Sequence, residues 1–451
     1  MVLHVSVLKR MKCLQRAARW TSLLAMGMLL AGTHCEAACP PASGSTCSPW
    51  VATWGTAMVD TGIDRAPDLT DHTLRLIVHS SVGGSQARIW LSNRFGTEPL
   101  HIGAAHIAVS AVARPDGNGE LSAILPGTDH ALTFNHETSV TIPPGATIAS
   151  DGVVLDVPAL SNLAVCLYFP DHTLGMTEHG GAQQISYASI GNQVSATTLE
   201  GNSWTVGSWY FLTGVDVYAP GDSTVVAFGD SITDGNHSTQ SANHRWPDYL
   251  AARLAANEAT RKDGVLGVVN TGISGNRVLL DGDGPSAMAR MNWDILERSG
   301  ARYLILFHGI NDIEAVEHNR QSFGDLEERL EWALTQITEQ AHEHGMLVFG
   351  ATQMTDCRNH KCNWPEGEKT RTDLNNWIRT TKIFDGVIDF DRVMRDPQYP
   401  IQMREEYNSG DYVHPNDTGY KAMADSIDLS LFTKDAMHGV NGGNGAKSGS
   451  R

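Results

Sequence analysis

A serine within the run "FGDSITDG", from Phe228 to Gly235, is the first residue whose type and setting could do chemistry. The run follows the apolar stretch "STVVA". Because Gly and Asp are good turn formers, Ser231 could equally be an ordinary turn residue. A serine hydroxyl is a weak nucleophile that needs a base, a group that orients the base, and donors for an oxyanion. The role of Ser231 therefore depends on what the rest of the chain supplies.

The segment "DYVH" supplies a base and a group that orients it. Histidine, with an ordinary pKa of about 6.5, suits general base catalysis near neutral pH, and His414 is the candidate. Asp411 lies three residues before it. In a loop, this carboxylate can reach the Nδ1–H, fix the tautomer and stabilise the imidazolium that forms during attack. We predict a catalytic triad of Ser231, His414 and Asp411.

N–H groups in three loops could bind the oxyanion of the tetrahedral intermediate that forms when a serine attacks a carbonyl carbon. Ser231 offers its own backbone N–H, and Asn311 in "HGIND" offers a side-chain amide. Gly275 in "NTGISGN" offers a backbone N–H that no side chain obstructs. Gly272 in the same loop is also available. We predict an oxyanion hole of Ser231, Gly275 and Asn311, in which the choice between the two glycines stays open.

Alternating strand and helix patterns from Gly221 onward predict how these loops meet. The runs "STVVAF", "GVVN", "YLILFH", "MLVFGA" and "GVIDF" are predicted strands, separated by amphipathic helical segments. A continuous apolar run such as "YLILFH" is typical of a parallel strand buried on both faces. The pattern predicts a doubly wound α/β domain over 221–432. In such a domain ligands bind outside the carboxyl ends of the strands, where the loops of Ser231, Gly275 and Asn311 meet.

For two helices of this domain the sequence also predicts where the helix begins or which residues form its apolar face. One is predicted from Phe323 to His344. The last helix is predicted to begin at an Asp417 cap. Its apolar face would then contain Tyr420, Met423, Ile427 and Leu431.

Residues 48–220 show the pattern of an all-β region. In "TLRLIVHS" one predicted face contains Leu74, Leu76 and Val78, and the other contains Thr73, Arg75 and His79. Several such strands follow, separated by turn residues and with no convincing helix between them. We predict a sandwich or jelly-roll domain ahead of the α/β domain. Residues 437–451, rich in Gly and Ser, are predicted to be a disordered tail.

The composition is typical of a globular protein, and the net charge argues against some classes of binding partner. The chain has 451 residues, which favours two domains, and its 41% hydrophobic and 18% charged residues are typical of globular proteins. The formal net charge of −17 argues against nucleic acid or an anionic membrane as a partner, because both attract basic surfaces. No cofactor is predicted.

The N-terminus resembles an export signal, with a basic segment followed by the apolar stretch "WTSLLAMGMLLAG". We predict a signal peptide over 1–37, a secreted or periplasmic protein, and no stable membrane insertion after cleavage. An uncleaved anchor is the alternative. Export permits disulfides, and the candidate pairs are Cys39/Cys47 and Cys357/Cys362. Cys166 lies in an apolar run and is predicted to be a buried free thiol.

Several weaker signals favour structural roles. Asp230 is expected to hydrogen-bond neighbouring backbone, and His308 to support the site from the end of its strand. "DGDG", Asp281 to Gly284, is expected to be a turn rather than a calcium loop. An aromatic cluster is expected to belong to the core: Trp204, Trp209 and Tyr210. Cys357, Cys362 and His360 lack the repeated spacing typical of zinc sites, and no metal site is predicted.

Four blocks, "GDSITDG", "GISGN", "GIND" and "DYVH", occur in the order typical of the SGNH (GDSL) hydrolase family. Over about 223–432 the chain resembles this family. The resemblance implies that Ser231, Gly275, Asn311 and His414 are the residues that give the family its name, with Asp411 completing the triad. More loosely, the chain is similar to the branch of arylesterases and xylan-associated acylhydrolases, whose leading domain is also similar to residues 48–220.

The resemblance implies a serine esterase that acts on short acyl esters, above all acetyl groups on polysaccharides. Three alternatives remain open at this point. The substrate could carry a longer acyl chain, as for a lipase, lysophospholipase or thioesterase. The acyl group could pass to a sugar rather than to water. The protein could also be a carbohydrate-binding protein with an inactive hydrolase domain, although the intact set of blocks argues against this.

Overall fold

The computed structural model describes residues 48–111, 122–319, 322–356 and 365–433. Several predictions fall outside these ranges. They are the signal peptide over 1–37, the tail over 437–451 and both cysteine pairs, Cys39/Cys47 and Cys357/Cys362.

The first half of the described chain is built from short β-strands. Their bounds are β1 Trp50–Gly55, β2 Val59–Asp60, β3 His72–Ser80, β4 Gly84–Ser92, β5 Leu100–Ile102, β6 Ala104–Val109, β7 His130–Ala131, β8 Val140–Ile142, β9 Thr147–Ala149, β10 Val153–Val157, β11 Ser161–Phe169, β12 Thr177–His179, β13 Ser186–Ile190, β14 Trp204–Val206, β15 Trp209–Tyr210 and β16 Leu212–Tyr218. We call this part of the chain the β region.

Two antiparallel sheets of the β region pack face to face. One has the order β1-β16-β4-β10, with β9 also paired to β4, and the other has the order β14-β13-β3-β11-β6-β7. Alternate residues of the strands fill one shared core, as the period of two predicts. Leu74, Leu76 and Val78 of β3 face this core, together with Ile89 of β4 and Val165 of β11. The predicted β sandwich is confirmed.

The opposite face of β3 is not the polar surface that its alternation suggests. Arg75 on that face is fully buried. Its guanidinium donates to the carbonyl oxygens of Ser122, Ala196 and Thr197. Its Nε also lies 3.1 Å from the sulfur of Cys166, which is a buried free thiol as predicted. Because loop carbonyls accept its hydrogen bonds, the arginine is buried without leaving its donors unpaired.

The second half alternates strands and helices. The bounds are β17 Ser223–Gly229, α1 Ser231–Asp234, α2 Trp246–Ala256, α3 Glu258–Arg261, β18 Leu266–Asn270, α4 Ala287–Met291, a π-helical turn Asn292–Leu296, β19 Ala301–Phe307, α5 Ile310–His318, α6 Leu326–Glu343, β20 Leu347–Ala351, α7 Pro365–Thr380, β21 Gly386–Ile388, α8 Phe390–Met394, a 3-10 turn Glu405–Tyr407, α9 Asp417–Ser426 and a 3-10 turn Leu429–Phe432. We call this part the α/β region.

The strands of the α/β region form a parallel sheet of order β18-β17-β19-β20-β21. One apolar core covers a face of this sheet with α2, α8 and α9, and a second covers the other face with α4, α6 and α7. The predicted doubly wound α/β fold is confirmed. The direction of winding reverses between β17 and β19, and ligands bind at such a point in open sheets.

The last helix differs from its prediction at both ends. Asn416, rather than Asp417, is the cap, because its side-chain oxygen accepts the N–H of Gly419 at 3.0 Å. The carboxylate of Asp417 instead accepts the N–H of Thr239 at 2.8 Å. The helix ends at Ser426, and the remaining apolar residues continue as a 3-10 turn. Asn and Asp are both good caps, so sequence alone could not separate two adjacent candidates.

The β region covers the edge strand of the parallel sheet. Ala52 of β1 shares an apolar core with Val226 and Val269 of the α/β region. The N–H of Val268 in β18 donates to the hydroxyl of Ser81 at 2.8 Å. A Cβ on Gly267 would lie 2.5 Å from the carbonyl oxygen of Ala52, so only glycine permits this approach. The exposed hydrogen-bonding edge that an outer strand otherwise presents is therefore closed by the β region.

Within the ranges that the structure describes, no helix combines the length and apolar character needed to cross a bilayer.

Candidate active site

Ser231 lies where a parallel strand turns into a helix. β17 ends at Gly229, and Asp230 caps α1 because its Oδ1 accepts the N–H of Ile232 at 3.1 Å. A Cβ at position 229 would lie 2.5 Å from the carbonyl oxygen of Phe307, so the strand requires glycine there. The turn places Ser231 at the carboxyl end of the sheet with 7% of its surface exposed.

His414 and Asp411 reach Ser231 from the loop before α9. The Oγ of Ser231 lies 2.8 Å from the Nε2 of His414. The Nδ1 of His414 lies 2.6 Å from the Oδ2 of Asp411. The structure therefore brings the three predicted triad residues into one continuous chain of hydrogen bonds. In this chain Nδ1 carries the imidazole proton and Nε2 can accept one from the serine.

Asp411 is held as a carboxylate. Its Oδ1 accepts the backbone N–H groups of His414 at 2.8 Å and Val413 at 2.9 Å. Burial opposes ionisation, but these hydrogen bonds and the one from the His414 side chain outweigh it and keep the pKa of Asp411 well below its ordinary value. Asp411 can therefore orient the histidine across the whole range near neutral pH.

The two glycines of the loop after β18 differ in their backbone contacts. The N–H of Gly272 already donates to the side-chain oxygen of Asn270 at 3.0 Å. Gly275 has φ +73°, and a Cβ there would lie 2.3 Å from a carboxylate oxygen of Asp283. Both the backbone conformation and the close approach demand glycine at position 275.

Asn311 lies in the first turn of α5, beside the same loop. Its Nδ2 donates to the carbonyl oxygen of Asn276 at 3.0 Å. A side-chain amide has two N–H donors, so this bond fixes the side chain and leaves the second donor for a ligand. The N–H of Ser231 is also suited to a ligand, because the first N–H groups of a helix have no partner within the helix.

A buried arginine links the loop ends. Arg290 of α4 is completely buried. Its Nη2 donates to the carbonyl oxygen of Gly229 at 2.8 Å, and its Nη1 to that of Thr271 at 2.7 Å. Its Nε donates to the Oδ1 of Asn276 at 2.9 Å. One side chain thus binds the end of β17 and two points of the glycine loop.

His308 completes this network, in line with its predicted supporting role. Its Nε2 lies 3.1 Å from the Oδ1 of Asn276, which is an acceptor, so Nε2 carries the proton. Burial, reinforced by the positive charge of Arg290, lowers the pKa of His308 well below its ordinary value. His308 is therefore a neutral donor beneath the site.

Two aspartates flanking the site are also buried. Asp312 follows Asn311, and its two oxygens accept the N–H groups of Val278 at 2.7 Å and Leu279 at 3.0 Å. Burial raises the pKa of Asp312 to about 6. Burial likewise raises the pKa of Asp230 to about 7, against the hydrogen bond from Ile232, and its Oδ2 has no hydrogen-bond partner within the described residues.

The β region contributes one residue to this assembly. His179 of β12 is buried, and its Nε2 lies 3.0 Å from the Oδ1 of Asp234 at the end of α1. The Oδ2 of Asp234 accepts the hydroxyl of Ser274 at 2.6 Å. Burial disfavours an imidazolium, but the charge and hydrogen bond of Asp234 outweigh it and raise the pKa of His179. The β region is therefore tied to both the serine turn and the glycine loop.

His237 adds a second imidazole beside the triad. Its ring stacks on that of His414, with centroids 5.3 Å apart and planes inclined by 23°. Its Nε2 lies 3.3 Å from the Oδ2 of Asp411. These three side chains form the one group of metal-ligating type found in the described ranges.

Sequence reasoning missed several of these residues. Arg290 and Asn276 lack any catalytic spacing, although Asp294, one helical turn after Arg290, hinted at a paired charge. His179 lies in another part of the chain, so only folding brings it near Asp234. His237 follows the serine block by a few residues and is one of 19 histidines, so nothing distinguished it.

The raised pKa of Asp230 predicts a pH-dependent stability. In the unfolded chain this carboxyl ionises near its ordinary 3.8, whereas in the folded chain it keeps its proton to about 7. The unfolded state binds fewer protons between these values, so this group lowers stability as pH rises from about 4 to about 7. Asp230→Asn keeps the capping oxygen and removes the ionisation. We expect the Tm of Asp230→Asn, measured relative to the parent protein, to increase from about pH 5 to about pH 8.

All other titrating groups are present in both proteins, so most of their contribution to stability cancels in the difference. A Tm difference that stays constant across this pH range would contradict the raised pKa.

Comparisons with known proteins agree with the motifs. No curated protein matches the chain in sequence. Three solved structures are examples of those to which part of the chain is similar. A GDSL-like lipase from Bacteroides thetaiotaomicron is 18% identical, and the match covers 48% of this chain and 89% of that chain with a TM-score of 0.33. A carbohydrate acetylesterase family member from Sinorhizobium meliloti is 17% identical, and the match covers 46% of this chain and 97% of that chain with a TM-score of 0.35. A variant of an acetyl xylan esterase from Geobacillus stearothermophilus is 18% identical, and the match covers 47% of this chain and 94% of that chain with a TM-score of 0.35.

The family described as GDSL-like lipase/acylhydrolase matches residues 225–427. These residues contain the serine turn, the glycine loop, Asn311 and the Asp411–His414 loop. The predicted family resemblance is confirmed over residues 225–427, which match the GDSL-like lipase/acylhydrolase family, and the protein is a carboxylic ester hydrolase.

Proposed function

We propose that the protein is a serine esterase whose catalytic triad is Ser231, His414 and Asp411. The observation that carries this proposal is the unbroken chain of hydrogen bonds, 2.8 Å from Ser231 Oγ to His414 Nε2 and 2.6 Å from His414 Nδ1 to Asp411 Oδ2. The tautomer that Asp411 imposes leaves Nε2 free to take the serine proton. The reaction proceeds through a covalent acyl-serine and requires no metal.

In the first half-reaction Ser231 Oγ attacks the ester carbonyl carbon and gives its proton to His414 Nε2. The carbonyl oxygen becomes an oxyanion. The carbon–oxygen bond to the alcohol then breaks, and His414 returns the proton to the leaving oxygen. In the second half-reaction His414 takes a proton from water as the water oxygen attacks the acyl-serine. The bond between the acyl carbon and Ser231 Oγ then breaks, His414 returns the proton to Ser231 Oγ, and the acid leaves.

Three donors stabilise the oxyanion in this mechanism. They are the backbone N–H groups of Ser231 and Gly275 and the second Nδ2–H of Asn311. Arg290 and Asn276 do not touch the reacting atoms but hold the serine turn and the glycine loop at a fixed spacing. Because the donors are fixed before the reaction, they need little reorganisation as negative charge develops.

We propose that the substrates are short acyl esters, with acetyl groups on polysaccharides as the leading class. This proposal is supported by the resemblance to xylan-associated acylhydrolases in the segments "WPDYL" and "NTGISGNRVL". We also propose that the protein is exported, as a secreted or periplasmic enzyme without the signal peptide over 1–37. The basic and apolar N-terminal sequence supports export, and polymeric acetylated substrates lie outside the cell.

Chain-length preference tests the proposed substrate. We expect kcat/KM on p-nitrophenyl esters to be highest for acetyl and to fall through butyryl and octanoyl to palmitoyl. Acetate release from acetylated xylan and acetylated pectin, measured in parallel, should also be catalysed. A kcat/KM that rises toward palmitoyl, without acetate release from either polymer, would reassign the enzyme to long-chain lipids or thioesters.

Removing the nucleophile or the base tests the mechanism. Ser231→Ala and His414→Ala should each lower kcat by at least about 10³-fold, because covalent catalysis is lost in both. Thermal unfolding should show that both variants remain folded. Near-parental turnover by folded Ser231→Ala would disprove the triad.

Asn311→Ala tests the oxyanion hole. Its amide is expected to bind charge that develops only in the transition state, so kcat should fall about 10²–10³-fold while KM stays nearly constant. Asn319→Ala, an exposed asparagine after the same helix, is the matched control and should retain both constants. A large rise in KM at unchanged kcat would make Asn311 a ground-state binding residue.

A further inference from the structure

His237 makes contacts that the proposed mechanism does not use. It lies in the turn after α1 with φ +66°, and half of its side chain, 50%, is exposed. One face of its ring covers His414, and its Nε2 points toward the Oδ2 of Asp411. Thus Asp411 Oδ2 lies within 3.3 Å of a nitrogen of each histidine.

The three ligand atoms have the chemistry of a zinc site and lie close to one another. The Nε2 of His237, the Oδ2 of Asp411 and the Nδ1 of His414 all lie within 4.8 Å of one another. Imidazole nitrogens and a carboxylate oxygen are ligands that Zn²⁺ prefers at about 2.0–2.2 Å, which places tetrahedral ligand atoms about 3.3 Å apart. The pair His237–Asp411 already has this separation, 3.3 Å, whereas the hydrogen-bonded pair Asp411–His414 must lengthen from 2.6 Å when Zn²⁺ replaces the proton between them.

Access and charge also suit a cation. The half-exposed ring of His237 leaves the cluster open to solvent, which can supply water as the fourth ligand. Asp411 supplies a carboxylate oxygen as the anionic ligand of the cluster. The cluster contains two nitrogen donors, so it favours Zn²⁺ over Mg²⁺ or Ca²⁺, which prefer oxygen ligands.

We propose that His237, Asp411 and His414 form an inhibitory Zn²⁺ site that switches the esterase off reversibly. The inhibition rests on the proposed function, because it acts through the triad. Zn²⁺ bound to Nδ1 of His414 replaces the hydrogen bond to Asp411. The single proton of the neutral imidazole then resides on Nε2, and no proton is gained or lost. An Nε2–H cannot accept the proton of Ser231, so attack stops.

Zinc titration of the full mature enzyme tests the site. After treatment with EDTA and removal of the chelator, the parent enzyme should remain active. Added Zn²⁺ should then inhibit hydrolysis of p-nitrophenyl acetate, and EDTA should restore it. Losing one of three protein ligands should raise the half-inhibitory Zn²⁺ concentration at least about tenfold in His237→Ala and in His237→Gln, each compared with its own metal-free rate.

His244→Ala is the matched control. This histidine is also partly exposed, at 38% of its side chain, and its Nδ1 lies 2.7 Å from a carboxylate oxygen of Asp417 outside the cluster. Inhibition of His244→Ala should match that of the parent enzyme. Mg²⁺ at the same concentrations should not inhibit any of the proteins.

Direct binding separates this proposal from the proposed function. Ser231→Ala retains all three ligands, so it should compete with a chromogenic chelator for one more Zn²⁺ than the double variant Ser231→Ala/His237→Ala. If Zn²⁺ inhibits folded His237→Ala or His237→Gln as strongly as the parent, or if the two chelator titrations coincide, the zinc site is disproved. Full hydrolysis by Ser231→Ala would instead disprove the proposed triad and leave the binding result valid on its own.

Discussion

The geometry of the site depends on the burial of one guanidinium, that of Arg290. Its planar fork donates to Gly229 and Thr271, at the ends of adjacent strands, and to Asn276 in the glycine loop. Burying an unpaired charge costs several kcal/mol, and Asp294 balances this one at 2.9 Å. The loops that carry the nucleophile and the oxyanion donors are thus held together by a group that cannot deprotonate near neutral pH.

The polar groups around this arginine have complementary protonation states. His308 is neutral, since both burial and the neighbouring guanidinium oppose a second positive charge. Asp411 stays ionised through its hydrogen bonds, while burial keeps Asp230 largely protonated up to about pH 7. Two carboxyl groups close to one histidine therefore differ in charge at mildly acidic pH. The difference comes from the deeper burial of Asp230 and from the larger number of hydrogen bonds that Asp411 accepts, rather than from residue type.

The period of the apolar residues, the order of the predicted strands and helices, and the spacing of the motifs were enough to predict the main architecture. The alternation in β3 predicted its core face, and the continuous apolar run of β19 predicted a strand buried in a parallel sheet. The topology then explains why Ser231 and His414 meet despite their separation in sequence. Contacts between residues that are distant in sequence could not be predicted from the sequence. The burial of Arg75 depends on carbonyls of distant loops, and the pairing of His179 with Asp234 depends on how the two regions pack. Choosing Asn416 over Asp417 as the cap required the loop geometry.

The cover that β1 and Ser81 place over β18 has a consequence for how the chain reaches its fold. Ala52 and Thr224, which hydrogen-bond across this junction, are 172 residues apart in sequence. Contacts of such separation form slowly because a long loop must close first. In the order of synthesis, however, the β region leaves the ribosome before any strand of the parallel sheet. Its sandwich can therefore form first, and we expect it to act as a template on which the edge strand folds. The catalytic half would then spend little time with an open sheet edge on which other chains could aggregate.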